Sequence, residues 1–334
     1  MNARSALAAT AALLLALAAA PRASALTMAG IVKRAANDDG SPSVCDLVHV
    51  DVETGASVSV AEIDECGLFD SAWPSGSVFD GKTGEIVFSV PGAPSIYAVD
   101  VASGAVRVVY ATNIDYTDNQ LIGASLVNGF MYIMSRAKIF KVDPSGVEPV
   151  STLVDTDYPF EEGCPCTDGA NLIWLAQGNS SRVYEINVAQ ATSDPVFTGQ
   201  ANPKDVAYDP VSGTIFQLAN WKLFEYTTAG KATQHGSIPG AGGPLYLHPR
   251  CLSVDPAGSE TLTIIDFNTF HSTAIGDLPT YDINTPFTFG GTRMIGKDLY
   301  FIPDALAAKA RAARNATSAV APAPKAGAAL RGDA

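Results

Sequence analysis

Residues 205–216 have the sequence DVAYDPVSGTIF, and this stretch decides how the rest of the chain is interpreted. Two short runs that contain apolar and aromatic residues flank Asp209-Pro210-Val211-Ser212-Gly213, a segment whose Asp, Pro, Ser and Gly residues favour a tight turn. A strand-like run on each side of a turn predicts a β-hairpin. The stretch therefore indicates an antiparallel sheet, and the remainder of the chain shows almost no helical periodicity.

The second strand of this hairpin carries an aromatic residue in its third place, and the pattern recurs along the chain. Copies are Ile86-Val87-Phe88, Phe130-Met131-Tyr132, Leu172-Ile173-Trp174, Thr214-Ile215-Phe216 and Asp298-Leu299-Tyr300. Their spacings are 44, 42, 42 and 84 residues. Because the last spacing is twice the others, we expect a degenerate copy between the last two, at Leu252-Ser253-Val254. A fixed period of this kind indicates a repeat architecture.

A second motif follows the first by 10 to 12 residues and consists of an apolar residue and then Asp or a polar substitute. Its copies are Val50-Asp51, Val99-Asp100, Val142-Asp143, Ile186-Asn187, Tyr226-Thr227 and Ile265-Asp266. Gly55, Gly104 and Gly146 come shortly afterwards and are expected to close turns that need a positive φ. Asp bonds its own backbone in such turns, so we interpret these Asp residues as turn formers and not as ligands.

Two consecutive hairpins in each repeat of about 43 residues predict an all-β fold, a six-bladed β-propeller of four-stranded antiparallel blades. The chain begins with a hairpin of the second type, Leu47 to Ile63, and ends with one of the first type, about Thr292 to Pro303. We expect these N-terminal and C-terminal half-blades to join and close the ring, which removes an open sheet edge. A β-sandwich or two smaller β domains remain the alternatives.

The stretch from Asp205 to Phe216 resembles the blade repeat of six-bladed extracellular propellers: the YWTD repeats, the NHL repeats and the gluconolactonase group. Val78 to Val90 and Leu252 to Pro256 resemble it more weakly, and Ile215-Phe216-Gln217-Leu218 stands where the YWTD tetrapeptide would be. The resemblance implies a propeller over residues 43–304. Gluconolactonases bind a divalent metal through carboxylates and amides in the central channel, and those positions cannot be matched here one by one.

The two ends of the chain differ in composition from its body. Residues 1–25 combine Arg4, an apolar run and Ala23-Ser24-Ala25, which predicts a secretory signal peptide cleaved after Ala25 and an extracellular protein; a retained N-terminal anchor is the alternative. Residues 26–42 are then a lead-in segment. Residues 305–334 are rich in Ala, with five basic residues against Asp333 alone, and predict a disordered tail, apart from a short helix near Leu306–Arg314.

Composition excludes several classes of partner. The chain has 334 residues, 34 acidic against 21 basic, and a net charge of −13. Binding to nucleic acid or to an anionic membrane surface needs clustered Lys and Arg, so both are disfavoured. No segment after the signal peptide is long enough to span a membrane. Affinity for cations or cationic partners would suit the acidic body, although solubility alone would also explain it.

The five cysteines suit an oxidising compartment. Cys45 and Cys66 bracket the first hairpin, so we predict a disulfide between them, which would stabilise the fold by about 3 kcal/mol through loop closure. Cys164, Cys166 and Cys251 leave an odd count and an open pairing. Asn179 and Asn315 begin glycosylation sequons, which matter only in a eukaryotic source.

Function is expected on the long links between blades, because loops held by a rigid scaffold commonly carry binding sites. The candidate binding residues are Asp64, Asp70, Trp73, Asp115, Tyr116, Asp118, Tyr158, Tyr246, His248, Tyr281 and Asp282. Asp155, Asp157, Glu161 and Glu162 are candidate ligands for Ca²⁺, which prefers several oxygen atoms, although no known calcium-loop spacing is present. Solvated acidic loops with no ligand are the alternative.

Two functions follow as expectations. The first is a secreted binding module that recognises a glycan or a protein partner through these acidic and aromatic links. The second is a metal-dependent hydrolase or lactonase of the gluconolactonase type, with its site in the central channel. The sequence contains no G-x-S-x-G or H-E-x-x-H motif and its four His residues are scattered, so nucleophilic catalysis finds little support. Whether the protein is an enzyme stays open.

Overall fold

The computed structural model describes residues 27–34, 44–52, 54, 56–63, 76–89, 95–111, 121–135, 138–155, 163–177, 181–200, 203–220, 222–237, 241–248, 251–256, 261–265, 272–277 and 293–320. The signal-peptide prediction for residues 1–25 lies outside these ranges and stays a prediction. No helix among the described residues is long and apolar enough to cross a membrane.

The described chain consists of 24 strands followed by one helix. The first twelve strands are β1 (Thr27–Arg34), β2 (Val44–Asp51), β3 (Ser57–Ile63), β4 (Gly76–Asp80), β5 (Glu85–Ser89), β6 (Ser95–Asp100), β7 (Val106–Ala111), β8 (Leu121–Val127), β9 (Phe130–Ser135), β10 (Lys138–Val142), β11 (Ser151–Asp155) and β12 (Gly163–Thr167). The others are β13 (Leu172–Gln177), β14 (Arg182–Asn187), β15 (Thr192–Thr198), β16 (Pro203–Asp209), β17 (Thr214–Ala219), β18 (Lys222–Thr227), β19 (Ala232–Ser237), β20 (Ala241–His248), β21 (Cys251–Pro256), β22 (Thr261–Ile265), β23 (Ser272–Asp277) and β24 (Arg293–Ile302). The helix, α1, spans Asp304–Val320.

These strands form six four-stranded antiparallel sheets. In chain order the sheets are β24-β1-β2-β3, β4-β5-β6-β7, β8-β9-β10-β11, β12-β13-β14-β15, β16-β17-β18-β19 and β20-β21-β22-β23. The first strand of each sheet contacts the first strand of the next, and β24 contacts both β20 and β4. This ring of inner strands makes the fold a β-propeller, so the prediction of an all-β propeller with four-stranded antiparallel blades is confirmed.

Closure of the ring differs from the prediction. Two half-blades were expected to join, but one sheet combines three N-terminal strands with the single C-terminal strand β24. Residues 26–42 are not a mere lead-in, because β1 pairs with β2 on one side and with β24 on the other. Apolar residues of β1 such as Met28 and Ile31 are buried, and their short run was overlooked because it follows the signal peptide so closely.

The first repeat motif occupies the second strand of its sheet. Phe88, Tyr132, Trp174 and Phe216 stand opposite Ser77, Ser125, Cys166 and Ala207 of the inner strands. A small residue beside each aromatic ring leaves room for the ring where neighbouring sheets converge. The predicted copy at Asp298-Leu299-Tyr300 is an exception, because it lies in the inner strand β24 and not in a second strand.

Apolar residues on both faces of each sheet form cores between successive sheets. In β5, Ile86 and Phe88 pack with residues of the preceding sheet, whereas Val87 packs with Ala124 and Met131 of the following one. Similar clusters join the sheets that contain β9 and β13, and those that contain β13 and β17. Burial on both faces explains why these strands read as continuous apolar runs instead of alternating ones.

The second motif occupies the end of the third strand, and its polar residues form turns as predicted. Asp51 accepts a hydrogen bond from the backbone N–H of Thr54, and Asp100 accepts one from Ala102 and another from Ser103. Asp143 and Asn187 bond the backbone that follows them in the same way. Gly104 and Gly146 have φ values of 75° and 79°, which only glycine adopts freely. Gly55 lies outside the described residues.

Residues 304–320 are helical, so the short helix expected near Leu306–Arg314 is present but extends further in both directions. The predicted disorder of residues 321–334 stays a prediction, because they lie outside the described ranges. The backbone N–H groups of Leu306 and Ala307 donate to the Pro303 carbonyl and begin the helix. Leu306 and Ala307 join the core between the first two sheets, and Ala310 is also buried. What was not predicted is that this helix packs against the propeller, where its small Ala side chains allow it to lie close to a sheet.

Candidate functional site

The order of strands gives the propeller two different faces. Each sheet begins at its inner strand and ends at its outer strand, so the links from one sheet to the next all leave at the same face. We call this the link face, and its links are residues 64–75, 112–120, 156–162, 199–202, 238–240 and 278–292. The opposite face, which we call the turn face, carries the turns that follow the first and the third strand of each sheet.

Most of the predicted binding residues belong to these links. Asp64, Asp70, Trp73, Asp115, Tyr116, Asp118, Tyr158, Tyr281 and Asp282 are all link residues, and all of them lie outside the described part of the chain. Their contacts therefore stay predictions. What the described strands establish is that the links which contain them begin and end at one face of a single ring.

Tyr246 and His248 are placed differently from the prediction, which assigned them to a link. Both lie in β20, the inner strand of its sheet, and His248 pairs with Cys251 at the hairpin that leads into β21. That hairpin connects a first strand to a second strand, so His248 is at the turn face. The Pro and Gly residues near 239–244 suggested a long loop, but the strand continues beyond them because of its pairing with β21.

The four candidate calcium ligands are not brought together by any described contact. Asp155 is the last residue of β11, while Asp157, Glu161 and Glu162 lie in the following link, outside the described residues. Among the described residues no three His, Cys, Asp or Glu side chains are grouped closely enough to hold a metal ion. The calcium assignment stays a prediction.

Carboxylates at the turn face are engaged in holding the turns. Asp143 accepts hydrogen bonds from the backbone N–H groups of Ser145, Val147 and Glu148, and one from the Ser145 hydroxyl. Desolvation would raise the pKa of Asp143, but these hydrogen bonds outweigh it and lower that pKa. Asp209 and Asp168 bond the backbone of their own turns similarly. Such carboxylates act as structural caps of the turns.

A bidentate ion pair helps to fasten adjacent sheets together. Arg107 of β7 donates from Nε and Nη2 to the two carboxylate oxygens of Glu85, at 2.6 and 2.7 Å, and from Nη2 to the Pro144 carbonyl of the next sheet at 2.8 Å. The hydrogen bonds from Arg107 lower the pKa of Glu85 despite its partial burial. The guanidinium thus links two neighbouring blades near the turn face.

A cavity of about 340 Å³ lies between helix α1 and the sheet formed by β24, β1, β2 and β3. Its polar lining consists of Thr27, His49, Asp51, Arg311 and Asn315, and its apolar lining of Ala56, Val58, Val60 and Ala310. Sequence reasoning missed this site. Its two halves are about 260 residues apart in the sequence, and only closure of the ring brings the C-terminal helix to the N-terminal strands.

His49 is the buried titratable group of this cavity, with 5 % of its surface exposed. Its Nε2 atom lies 2.8 Å from the carbonyl oxygen of Val101, in a turn of the next sheet. Because a carbonyl can only accept, Nε2 carries the hydrogen and Nδ1 is the acceptor in the neutral ring. Burial lowers the pKa of His49, and the charge of Arg311 lowers it further. The ring is therefore neutral at physiological pH.

Two further sequence predictions concern covalent modification. Cys45 is buried and disulfide-bonded, but Cys66 lies outside the described residues, so the pairing of these two cysteines stays a prediction. Asn315, which begins the second sequon, lies on α1 at the cavity and is exposed. Asn179 lies outside the described residues. Glycosylation of either Asn is untested.

Comparison with known proteins identifies the fold of this chain but neither its family nor its function. No family model matches the chain, and no curated protein matches its sequence. Among solved structures, a chain of a nidogen/laminin complex is similar over 75 % of this chain and 94 % of its own length, with 9 % identity and a TM-score of 0.57. A streptogramin B lyase is similar over 64 % of this chain and 70 % of its own length, with 18 % identity and a TM-score of 0.48. A virginiamycin B lyase from Staphylococcus aureus is similar over 65 % of this chain and 72 % of its own length, with 14 % identity and a TM-score of 0.48. At these identities the likeness to the nidogen/laminin chain shows a shared propeller fold.

Proposed function

We propose that this chain is an exported six-bladed β-propeller that binds a basic segment of a partner protein at its link face. The observation that carries the proposal is the topology, in which all links between sheets leave the ring at one face. A rigid ring that presents several loops together is a common way to build a binding surface.

The composition of the links favours a basic partner. The six links contain nine acidic residues and no basic residue, and they also contain Trp73 and several Tyr and Phe side chains. Acidic loops attract a basic partner over long range and suppress acidic ones. Aromatic side chains near the centre of such a surface can supply much of the binding energy.

The turn face is suited to a supporting role. Asp51, Asp100 and Asp143 are occupied by hydrogen bonds to their own turns, so they hold the scaffold instead of facing a ligand. Helix α1 follows β24 at this face and carries Lys309, Arg311 and Arg314.

Binding of a lysine-rich peptide tests this proposal. The full chain, immobilised through a C-terminal tag, is expected to bind the peptide at low ionic strength and to lose binding as salt increases. The triple variant Asp64→Asn, Asp70→Asn, Asp118→Asn should lower the association rate about tenfold, because electrostatic steering is reduced. Biolayer interferometry measures both quantities.

A matched control removes three acidic residues elsewhere. Glu148→Gln, Asp194→Asn and Asp304→Asn change exposed residues outside the links and should leave the association rate nearly unchanged. Equal losses in the two triple variants would reject the link face as the binding surface. Binding of neutral oligosaccharides that depends on Trp73 and Tyr116 but not on these charges would favour a glycan ligand and overturn the proposal of a basic protein partner.

A further inference from the structure

The cavity beneath helix α1 is a second place where the molecule can hold a ligand, and it is separate from the link face. Its volume of about 340 Å³ is within the range of small-molecule pockets, which are about 300–1,000 Å³. Asp51 ends β2 at the turn face, and Ala56 belongs to the turn that follows. The cavity therefore lies at the turn face, where the proposed protein partner does not bind.

One wall of the cavity is aliphatic. Val58 of β3 stands opposite His49 of β2, and residues paired in this way lie on the same face of an antiparallel sheet. Val60 extends the wall along β3, and the fully buried Ala310 covers it from the helix. Val58 remains 38 % exposed, so the protein itself leaves part of this wall uncovered. An aliphatic ligand that covers the wall removes apolar surface from water, which is favourable.

The helix side of the cavity is polar and cationic. Arg311 and Asn315 are one helical turn apart on α1, and both line the cavity. Within the described part of the chain, neither side chain makes a hydrogen bond or an ion pair. The charge of Arg311 lowers the pKa of the buried His49, so its guanidinium acts on the interior beneath the helix. An unpaired guanidinium is a planar set of donors that suits a carboxylate.

Asp51 also lines the cavity, but its carboxylate is engaged on the sheet side. Its Oδ1 atom accepts a hydrogen bond from the backbone N–H of Thr54 at 2.9 Å. Among the described residues Asp51 and Arg311 make no ion pair, although both line the same cavity. The acidic group thus serves its turn, and the cationic group on the helix has no acidic partner. This arrangement favours a ligand whose anionic group lies on the helix side.

We propose that this cavity binds an aliphatic monocarboxylate, of which a medium-chain fatty acid is the simplest example. The ligand carboxylate accepts hydrogen bonds from the Arg311 guanidinium and the Asn315 amide. The aliphatic chain lies against Val58, Val60 and Ala310. No covalent step is involved, and the site is a binding site only.

Isothermal titration of the full chain with octanoate at neutral pH tests the proposal. Octanoate is expected to bind, whereas 1-octanol and octylamine, which lack the carboxylate, should each bind at least about tenfold more weakly. Acetate, which lacks the aliphatic chain, should also bind at least about tenfold more weakly. Absence of octanoate binding would overturn the proposal. So would equal binding by any of the three analogues, because the carboxylate or the chain would then be unnecessary.

Two variants of helix α1 test the position of the carboxylate. Arg311→Gln should weaken octanoate binding about tenfold, since it removes a charge-assisted hydrogen bond at an exposed residue on which no other described side chain depends. Lys309→Gln removes the same charge from an exposed residue of the same helix that does not line the cavity, and should leave the affinity unchanged. Equal effects of the two variants would reject this site.

Two valine variants test the position of the aliphatic chain. Val58→Ser should weaken octanoate binding about fivefold, because it removes apolar surface from the cavity wall. Val108→Ser changes a valine of the outer strand β7 that is 57 % exposed and does not line the cavity, so the affinity should stay the same. Thermal unfolding confirms that both variants are folded. An unchanged affinity in Val58→Ser would contradict the proposed position of the chain.

Discussion

Asp143 shows at the scale of one residue how a repeated carboxylate can be structural. Its two oxygens accept hydrogen bonds from three backbone N–H groups and one hydroxyl within the turn that follows β10. The Asp of the second motif is therefore repeated because of the turn it makes, and not because of a ligand.

Substitution of Asp143 by Ala tests this role. Asp143→Ala should lower the free energy of unfolding by about 1–3 kcal/mol, because the turn loses several charge-assisted hydrogen bonds. Urea denaturation measures the change. Asp194→Ala, at an exposed position of β15, should stay within about 0.5 kcal/mol of the parent chain. If both variants lost the same stability, the turn-forming role of Asp143 would be wrong.

His49 is expected to make the stability of the protein depend on pH. Its folded pKa is lowered from 6.5, so the unfolded chain binds more protons than the folded chain between the lowered value and 6.5. Stability should therefore be highest above 6.5 and should fall as the pH drops through that window. The loss arises because protonation would place a buried charge beside Arg311.

A non-titrating side chain isolates this effect. His49→Gln can still donate a hydrogen bond toward the Val101 carbonyl but cannot become charged. Urea unfolding at a series of pH values should show a smaller drop below 6.5 for His49→Gln than for the parent chain. Identical pH profiles would show that His49 does not titrate differently in the folded and unfolded states.

At the scale of elements, the turns after the third strands pack closely against the outer strand of the preceding sheet. A Cβ at Gly104 would lie 2.6 Å from the Cβ of Ala61 in the outer strand of the preceding sheet. A Cβ at Gly146 would lie 3.0 Å from the Val109 carbonyl oxygen, and one at Gly230 would overlap Phe197. These glycines are thus required both by their positive φ and by close approach to the neighbouring sheet.

Comparison of two glycine variants separates these causes. Gly104→Ala and Gly213→Ala both place a side chain at positive φ, at 75° and 69°. At Gly213 the nearest atom is the Tyr208 hydroxyl, 4.0 Å away, so only Gly104→Ala also produces a clash. We expect Gly104→Ala to lose about 1–3 kcal/mol more free energy of unfolding than Gly213→Ala. Equal losses would mean that the blades do not approach this closely at the turn.

At the scale of the whole molecule, one strand closes the ring. β24 pairs with β1 and contacts the inner strands β20 and β4 on its two sides. Without it, the sheet of β1, β2 and β3 would lose its inner strand and two neighbouring sheets would be exposed. Because each blade is covered by its neighbours, the stability of such a ring depends on closure.

Two truncations test the importance of closure. A chain that ends at Thr292 lacks β24, α1 and the residues after α1, whereas a chain that ends at Pro303 keeps β24 and lacks only α1 and the residues after it. Differential scanning calorimetry should show a cooperative transition for the longer chain and a broad transition at lower temperature, or none, for the shorter one. Similar transitions in both would show that β24 is dispensable.

Much of the architecture could be predicted from particular residues. The period of the aromatic motif placed the second strands correctly except at Asp298-Leu299-Tyr300, which lies in the inner strand β24, and the copies of the second motif placed the third strands. Both motifs could be recognised because each is short and local. The turn-forming Asp residues were also predicted, since their bonds involve their own neighbours. The links that carry the candidate binding residues were recognised by composition, although their contacts are untested.

What sequence alone determined was therefore the content of each blade, because hairpins depend on short apolar runs and on turn chemistry within a few residues. Tertiary structure decided how the ends meet: β1 and β24 join in one sheet, and helix α1 covers it to form the cavity at His49 and Arg311. These contacts join residues separated by most of the chain, and no local pattern encodes them. They arise because an unpaired sheet edge and uncovered apolar surface are costly once the blades have assembled.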